Sequence, residues 1–204
     1  MPKKIIIVGA GQNGLVAANI ISYNKNYKIN GFLDDRRKIK GQWLGSVADF
    51  KKYIKNYYFF VSIGDNKTRE RIFNLLKINK AKFINAIHPT AFREKGVILG
   101  ENVMVGACSY VNIHTLIGDN TIINNGCIIE HDNTIGHHCH LAPGVITAGE
   151  VKIKRGVFIG IGSIIRDRAV IGKNCFIGAG SNVIKDTKDN LIYYGNPAKL
   201  IKII

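Results

Sequence analysis

A six-residue period runs through residues 97–186 and constrains the second half of the chain more than any other feature. Stepping by six from Leu99, through Val105, Val111, Ile117 and Ile123 to Val183, meets an aliphatic residue at every position except Thr147. Two residues before each of these stands one of small or modest size, as in Ser109, Thr115, Cys127, Ala169 and Ser181. Three residues after each, from Asn102 onward, Asn, Gly and Asp recur, as in Asn120, Gly126, Asp132 and Gly144. These residue types tolerate the left-handed backbone of a tight corner. One large inward aliphatic, one small inward residue and one turn-former make one side of a triangular prism. Eighteen residues then complete a coil, and the stretch makes about five coils. An α-helix needs a period near 3.6 and a flat sheet a period of 2, so neither gives this pattern. The period leaves handedness open, since parallel crossovers are usually right-handed.

The front of the chain has a different logic. Residues 4–8, β-branched after Lys4, run into Gly9-Ala10-Gly11-Gln12-Asn13-Gly14, followed by a helix-like segment at 15–21. A second strand is expected over 29–33, ending at Asp34 and Asp35. A third, over 58–63, enters Gly64-Asp65-Asn66 ahead of a helix at 67–76. This β-α-β then β-α order implies a small parallel, Rossmann-like sheet. Gly9, Gly11 and Gly14 complete GxGxxG, and Asp34 follows twenty residues after Gly14, which meets the dinucleotide fingerprint. The underlying chemistry is more general. Bare amides at a helix start donate to a phosphate, and a carboxylate beyond the next strand accepts ribose or base hydrogen bonds. By Ile87-His88-Pro89 the chain is entering the prism, which leaves no second half-sheet for a nicotinamide. The reading is a nucleotide-binding domain over 1–84 and a β-helix domain with a C-terminal extension over 85–204. The rival reading is a ligand-free domain that merely caps the prism.

Composition narrows the function classes. The longest apolar runs fall far short of the roughly 20 residues that span a bilayer, and the short run after Met1-Pro2-Lys3-Lys4 is too brief for a signal peptide. A cytoplasmic protein is expected. Cys108, Cys127, Cys139 and Cys175 have no metal-ligand spacing and read as packing thiols. The formal charge is +15, but the 29 Lys and Arg are dispersed along the sequence and no nucleic-acid recognition motif accompanies them. No nucleic-acid partner is expected.

A short glycine-loop domain ending near Ile87-His88-Pro89 is followed by hexapeptide coils carrying Ile129-Glu130-His131-Asp132, and then by Gly195-Asn196-Pro197-Ala198-Lys199. Over nearly its whole length the chain thereby resembles the sialic-acid O-acetyltransferase-like family. Within that family it is most similar to bacterial N-acetyltransferases of nucleotide-linked 4-amino-4,6-dideoxy sugars, the bacillosamine-pathway type. The resemblance implies a left-handed β-helix, a homotrimer with acetyl-CoA in clefts between subunits, and a UDP- or dTDP-linked amino sugar on the first domain. By the same carry-over, His131 is the general base, and His140 and Gly149 meet the acetyl thioester. Ile161 and Ala179 line the CoA groove, and Gly11, Gln12, Asn13, Asp34, Asp35 and Gly64 hold the nucleotide sugar. Gln12-Asn13 stands where the family's GASGHG loop has Gly-His, so an imidazole is missing beside the nucleotide.

The period adds geometry. Gly149 lies eighteen residues after His131, hence one coil away on the same edge, about 4.8 Å along the axis. Its bare N–H suits an oxyanion, though a turn role for the glycine is an equal reading. Asp132 belongs to the turn-former series and is either an orienting carboxylate or a corner residue. His140 is nine residues from His131, half a coil, so the two should lie on different sides of one prism. If both serve one site, they come from adjacent subunits. His131, His137, His138 and His140 are sent to different faces, which argues against a metal. The function expected is acetyl transfer from acetyl-CoA to the C4 amine of the sugar. The alternatives are O-acetylation of a sialic-acid-like sugar and a non-catalytic nucleotide-binding trimer.

Overall fold

The computed structural model describes residues 1–36 and 41–203, which fall into two compact units, Met1–Ile87 and His88–Ile204. The first unit is a five-stranded parallel sheet. Its strands are β1 (Lys3–Val8), β2 (Tyr27–Leu33), β3 (Trp43–Gly45), β4 (Tyr58–Val61) and β5 (Lys82–Phe83), in the order β3-β2-β1-β4-β5. Helices α1 (Gln12–Ser22) and α2 (Asn66–Ile78) and a short 3₁₀ helix (Val47–Lys52) make the crossovers. A parallel sheet covered on both faces needs strands without polar alternation, and Ile5, Ile6, Ile7 and Val8 are all fully buried. Ile6, Val8, Phe59 and Val61 pack with Phe50 of the 3₁₀ helix and with Ile72, Phe73 and Leu76 of α2 in one apolar cluster.

The second unit is a triangular prism whose three parallel sheets are stacks of two-residue strands. On one face 110–111, 128–129, 146–147 and 164–165 pair in turn; on the next 116–117, 134–135 and 152–153; on the third 122–123, 140–141, 158–159 and 176–177. Each strand pairs with the one eighteen residues on, as the period requires. The coils wind left-handed. From Val105 to Val183 the large inward series is buried throughout, and so is the small series from Val103 to Ser181. Every corner position from Asn102 to Gly180 has a positive φ, between 53° and 72°. Five of these corners carry neither Gly, Asn nor Asp: Cys108, His114, His138, Glu150 and Arg168. A side chain there costs about 1–2 kcal/mol of backbone strain, and the strand hydrogen bonds on both sides of the corner hold it.

No described helix is long and apolar enough to cross a membrane. The chain closes with an antiparallel hairpin of Leu191–Tyr194 and Lys199–Ile203, whose first strand continues the third face after Phe176–Ile177.

Candidate active site

In the first unit, the strand order reverses on either side of β1, and a crevice opens there at the carboxyl ends of β1 and β4. Gly11, Gln12, Asn13, Asp34, Asp35 and Gly64, all six residues expected to hold a nucleotide sugar, line one pocket of about 440 Å³. The three loop glycines have separate physical reasons. Gly9 turns the chain with φ +107°, and a Cβ there would meet the Ser62 carbonyl oxygen at 2.6 Å. A Cβ on Gly14 would lie 1.9 Å from the Gly9 carbonyl oxygen, so only glycine lets α1 start against the loop. Gly11 has nothing within 4 Å, which leaves its surface open to a ligand. Gly11 is also the N-cap of α1, and no side chain caps that end. The first-turn amides are thus directed at the pocket, where the helix dipole favours an anion.

The carboxylates of the pocket also shape it. Asp34 accepts the Ala10 amide at 2.6 Å and the Arg36 amide at 2.7 Å, which ties the glycine loop to the end of β2. Asp35 accepts the Val47 amide at 2.8 Å. Asp65 caps α2 through the Thr68 amide at 2.8 Å, and hydrogen bonds from the Thr68 hydroxyl and amide hold its carboxyl below the usual range. Gly64 makes room for the Asn13 side chain, whose Nδ2 would stand 2.6 Å from a Cβ at residue 64. Arg36, Ser62, Thr68 and Arg71 add polar groups to the lining. The sequence offered no signal for these four, because no motif position marks them.

On the prism, the strand 128–129 runs into a corner formed by Glu130, His131 and Asp132. His131 Nδ1 lies 2.8 Å from Asp132 Oδ2, and both side chains are about half exposed. Asp132 has φ +58°, so it serves both as corner residue and as the imidazole's partner. The His131 ring lies directly over Gly149: a Cβ there would be 2.7 Å from Cε1 and 2.8 Å from Nε2. Gly149 is not among the residues with positive φ; the left-handed corner residue is its neighbour Glu150. The glycine is therefore required by the imidazole, not by the turn.

Two further side chains hold this corner. Asn133 points into the prism, and its Nδ2 donates to the carbonyl oxygens of Glu130 and of Ala148, the latter at 2.9 Å. His114, one coil before Asp132, places Nδ1 3.3 Å from Asp132 Oδ1. Asp132 thus lies between two imidazoles, and its carboxyl is held below the usual range chiefly by the hydrogen bond to His131, with the neighbouring His114 adding to it. His114 was not singled out from the sequence, although the eighteen-residue spacing would have found it.

The remaining expected residues lie elsewhere on the prism. His140 points outward from the third face, is 7% exposed, and stacks edge-on against Phe158 at 5.1 Å. Its Nε2 stands 3.5 Å from Asn124 Nδ2. Ile161 and Ala179, both exposed, occupy the corner after that face, one coil apart. The prism therefore brings His131, Asp132 and Gly149 together and keeps His140, Ile161 and Ala179 apart from them. His137 and His138 are used in the ladder between coils: the Asp119 amide donates to His137 Nδ1 at 2.9 Å, and Asn120 Nδ2 lies 2.8 Å from His138 Nδ1. Among the described residues no three His, Cys, Asp or Glu side chains converge as metal ligands.

Comparison with known proteins joins the two units. Residues 4–76 match the PglD N-terminal domain and residues 150–185 match the bacterial transferase hexapeptide, six repeats. The chain is 31% identical over 112 residues to UDP-N-acetylbacillosamine N-acetyltransferase of Bacillus subtilis, spanning about half of that relative's length (52%) and 52% of its own. It is 27% identical over 184 residues to GDP-perosamine N-acetyltransferase of Escherichia coli O157:H7, covering 85% of this chain and 82% of the relative. Among solved structures, PerB from Caulobacter crescentus, in complex with CoA and GDP-perosamine, superposes with a TM-score of 0.93 at 30% identity, over 98% of this chain and 97% of that one. The acetyltransferase domain of PglB from Neisseria gonorrhoeae FA1090, in complex with acetyl coenzyme A, also gives 0.93, at 27% identity and with 98% and 100% coverage.

Proposed function

Because the chain belongs to the family of acetyltransferases that joins a PglD N-terminal domain to hexapeptide repeats, we propose that it transfers the acetyl group of acetyl-CoA to the amine of a nucleotide-linked amino sugar. The C4 amine of a 4-amino-4,6-dideoxy sugar is the acceptor. The observation that carries this reading is the His131–Asp132 pair lying over Gly149 on one prism edge.

The chemistry follows from that arrangement. Asp132 accepts a hydrogen bond from Nδ1–H, which leaves Nε2 with its lone pair free to act as base. The amine nitrogen attacks the thioester carbonyl, its proton passes to His131 Nε2, and the developing oxyanion is met by the Gly149 N–H. When the tetrahedral intermediate collapses the C–S bond breaks, and the CoA thiolate takes the proton back from His131 Nε2–H, which restores the neutral imidazole. No covalent enzyme intermediate is needed, and holding amine and thioester together supplies much of the rate.

CoA is held by His140, Ile161 and Ala179 of a neighbouring subunit in a homotrimer. This reading accounts for residues of one expected site standing on different faces of a single prism. The nucleotide is held by Gly11, Gln12, Asn13, Asp34, Asp35 and Gly64, with its diphosphate at the uncapped start of α1. Relatives named for UDP- and for GDP-linked sugars both match the chain, and a panel of nucleotide sugars distinguishes the bases.

The test is CoA release by His131→Ala with a panel of UDP-, dTDP- and GDP-linked 4-amino sugars and hydroxy-sugar controls. A folded trimer that has lost acetyl transfer by a factor of about 10² or more is the expected result. Near-normal transfer by that variant would overturn the assignment of the base, and transfer to hydroxy sugars alone would overturn the acceptor.

A further inference from the structure

The basic residues that are dispersed along the sequence are not dispersed in space. Residues 1–87 hold 17 Lys and Arg against 5 Asp and Glu, a formal +12, whereas residues 88–204 hold 12 against 9, a formal +3. A general lysine bias acts on the whole chain and does not produce that contrast. All strands of the first unit are parallel, so their amino ends share one edge, as do the carboxyl ends of the helices that lead into them. Lys3 and Lys4 open β1, Lys28 is in register with Lys4, and Lys82 opens β5 in register with Tyr58. Lys25, Lys77 and Lys80 lie where the helices turn into β2 and β5, and Lys51, Lys52 and Lys55 lead into β4. All ten are exposed.

Three of the five acids stand at the other edge. Asp34, Asp35 and Asp65 line the pocket at the opposite edge of the same sheet, Asp49 is ion-paired with Lys52 at 2.6 Å, and Glu70 lies within α2. Tyrosines are interleaved with the lysines: Lys3 Nζ stands 4.8 Å from the Tyr58 ring centre, and Lys4 Nζ stands 5.9 Å from that of Tyr57. A helix dipole favours cations at its carboxyl end, which accounts for Lys77 and Lys80. Sheets have only small net dipoles, so the lysines that open β1, β2 and β5 have no such explanation.

We propose that this edge docks the protein on an anionic phospholipid surface. The choice of partner rests on residue type. All ten cations are lysine, a compact point charge on a flexible stem, and none is arginine, whose fork reads phosphates and bases bidentately. Tyrosine is the side chain that settles at a membrane–water interface. Each lysine held near an anionic leaflet strengthens partitioning about fivefold.

Co-sedimentation of the full chain with phosphatidylglycerol–phosphatidylcholine vesicles, against pure phosphatidylcholine, tests this at low and high salt. Binding is expected only to the anionic vesicles and is expected to weaken steeply with salt. Removing the charge of Lys3, Lys4, Lys28 and Lys82 by substitution to Ala should weaken it roughly 100-fold or more, with acetyl transfer in solution unchanged. Removing four charges from the second unit, at Lys173, Lys188, Lys199 and Lys202, should weaken it less than about tenfold. Absence of anionic-vesicle binding, or equal losses in the two variants, would overturn the proposal. So would lysine-dependent binding of duplex DNA that is tighter than vesicle binding at the same salt.

Discussion

Gly149→Ala probes the prism edge with a single methyl group. An alanine Cβ would stand 2.7 Å from His131 Cε1 and 2.8 Å from Nε2, where ordinary contact begins near 3.4 Å. The ring must therefore retreat by about 0.7 Å. Because the His131 side chain is 49% exposed, it can swing outward, and the loss of global stability should stay below about 1 kcal/mol, less than overpacking a closed core. The swing carries Nδ1 away from Asp132 Oδ2, now 2.8 Å distant, and moves the base relative to the bound amine. A displacement approaching 1 Å costs about 10²-fold in rate, which is about 2.7 kcal/mol of transition-state stabilisation. Alanine keeps the backbone N–H, so oxyanion stabilisation survives and the loss reports on the imidazole. The assay is steady-state CoA release by the single variants and by the His131→Ala/Gly149→Ala double variant, alongside thermal melts. With His131 removed, the methyl group has nothing to displace, and the double variant should be no slower than His131→Ala. A Gly149→Ala enzyme within about threefold of wild type, or losses that multiply in the double variant, would refute the reasoning.

Other positions separate fold from function as cleanly. Gly14→Ala, whose Cβ would overlap the Gly9 carbonyl oxygen at 1.9 Å, should destabilise the first unit by about 3 kcal/mol or more in denaturant melts. Gly11→Ala should lower those melts by no more than about 1 kcal/mol, the cost of an alanine N-cap, and weaken nucleotide-sugar binding about tenfold by calorimetry, since its methyl group meets no protein atom within 4 Å and stands in the ligand's space. Burial pushes the Cys127 thiol up from 9.0 to about 11. The unfolded chain therefore ionises first, and stability that is full below pH 9 should fall by about 2–3 kcal/mol as the pH rises to 11. Urea melts across that range should show a smaller fall in Cys127→Ala than in wild type, the remainder coming from Cys175, whose thiol is also pushed up by burial. Thr147 is fully buried in the aliphatic series, and its Oγ1 has no hydrogen-bond partner. Thr147→Val should raise stability by about 1 kcal/mol, read as a higher Tm.

Legibility of the site varied with the kind of signal involved. The pairing of His131 with Gly149 was readable because the coil is a ruler that converts eighteen residues into one step along an edge. His114 beside Asp132 obeys the same ruler but carries no motif, so nothing in the sequence drew attention to it. In the first unit, the glycines and Asp34 announced the pocket. β3 and β5, of three and two residues, are too short to show any period, and Ser62 after β4 and Thr68 and Arg71 of α2 became pocket lining only when strands distant in sequence were laid side by side. Asp34 is a further instance. Its spacing marked it as a ligand group, whereas the structure also commits it to the Ala10 amide that holds the glycine loop.

What the sequence determined by itself is the prism: its period, its inward and outward positions, its corners and the separation of His131 from His140. That follows because each coil repeats the same local geometry, so short-range spacing is long-range structure. Tertiary structure alone decided which charges share a surface. Lysines spread from residue 3 to residue 82 gather on one edge because parallel strands return each segment to the same end of the sheet. No local spacing encodes that return.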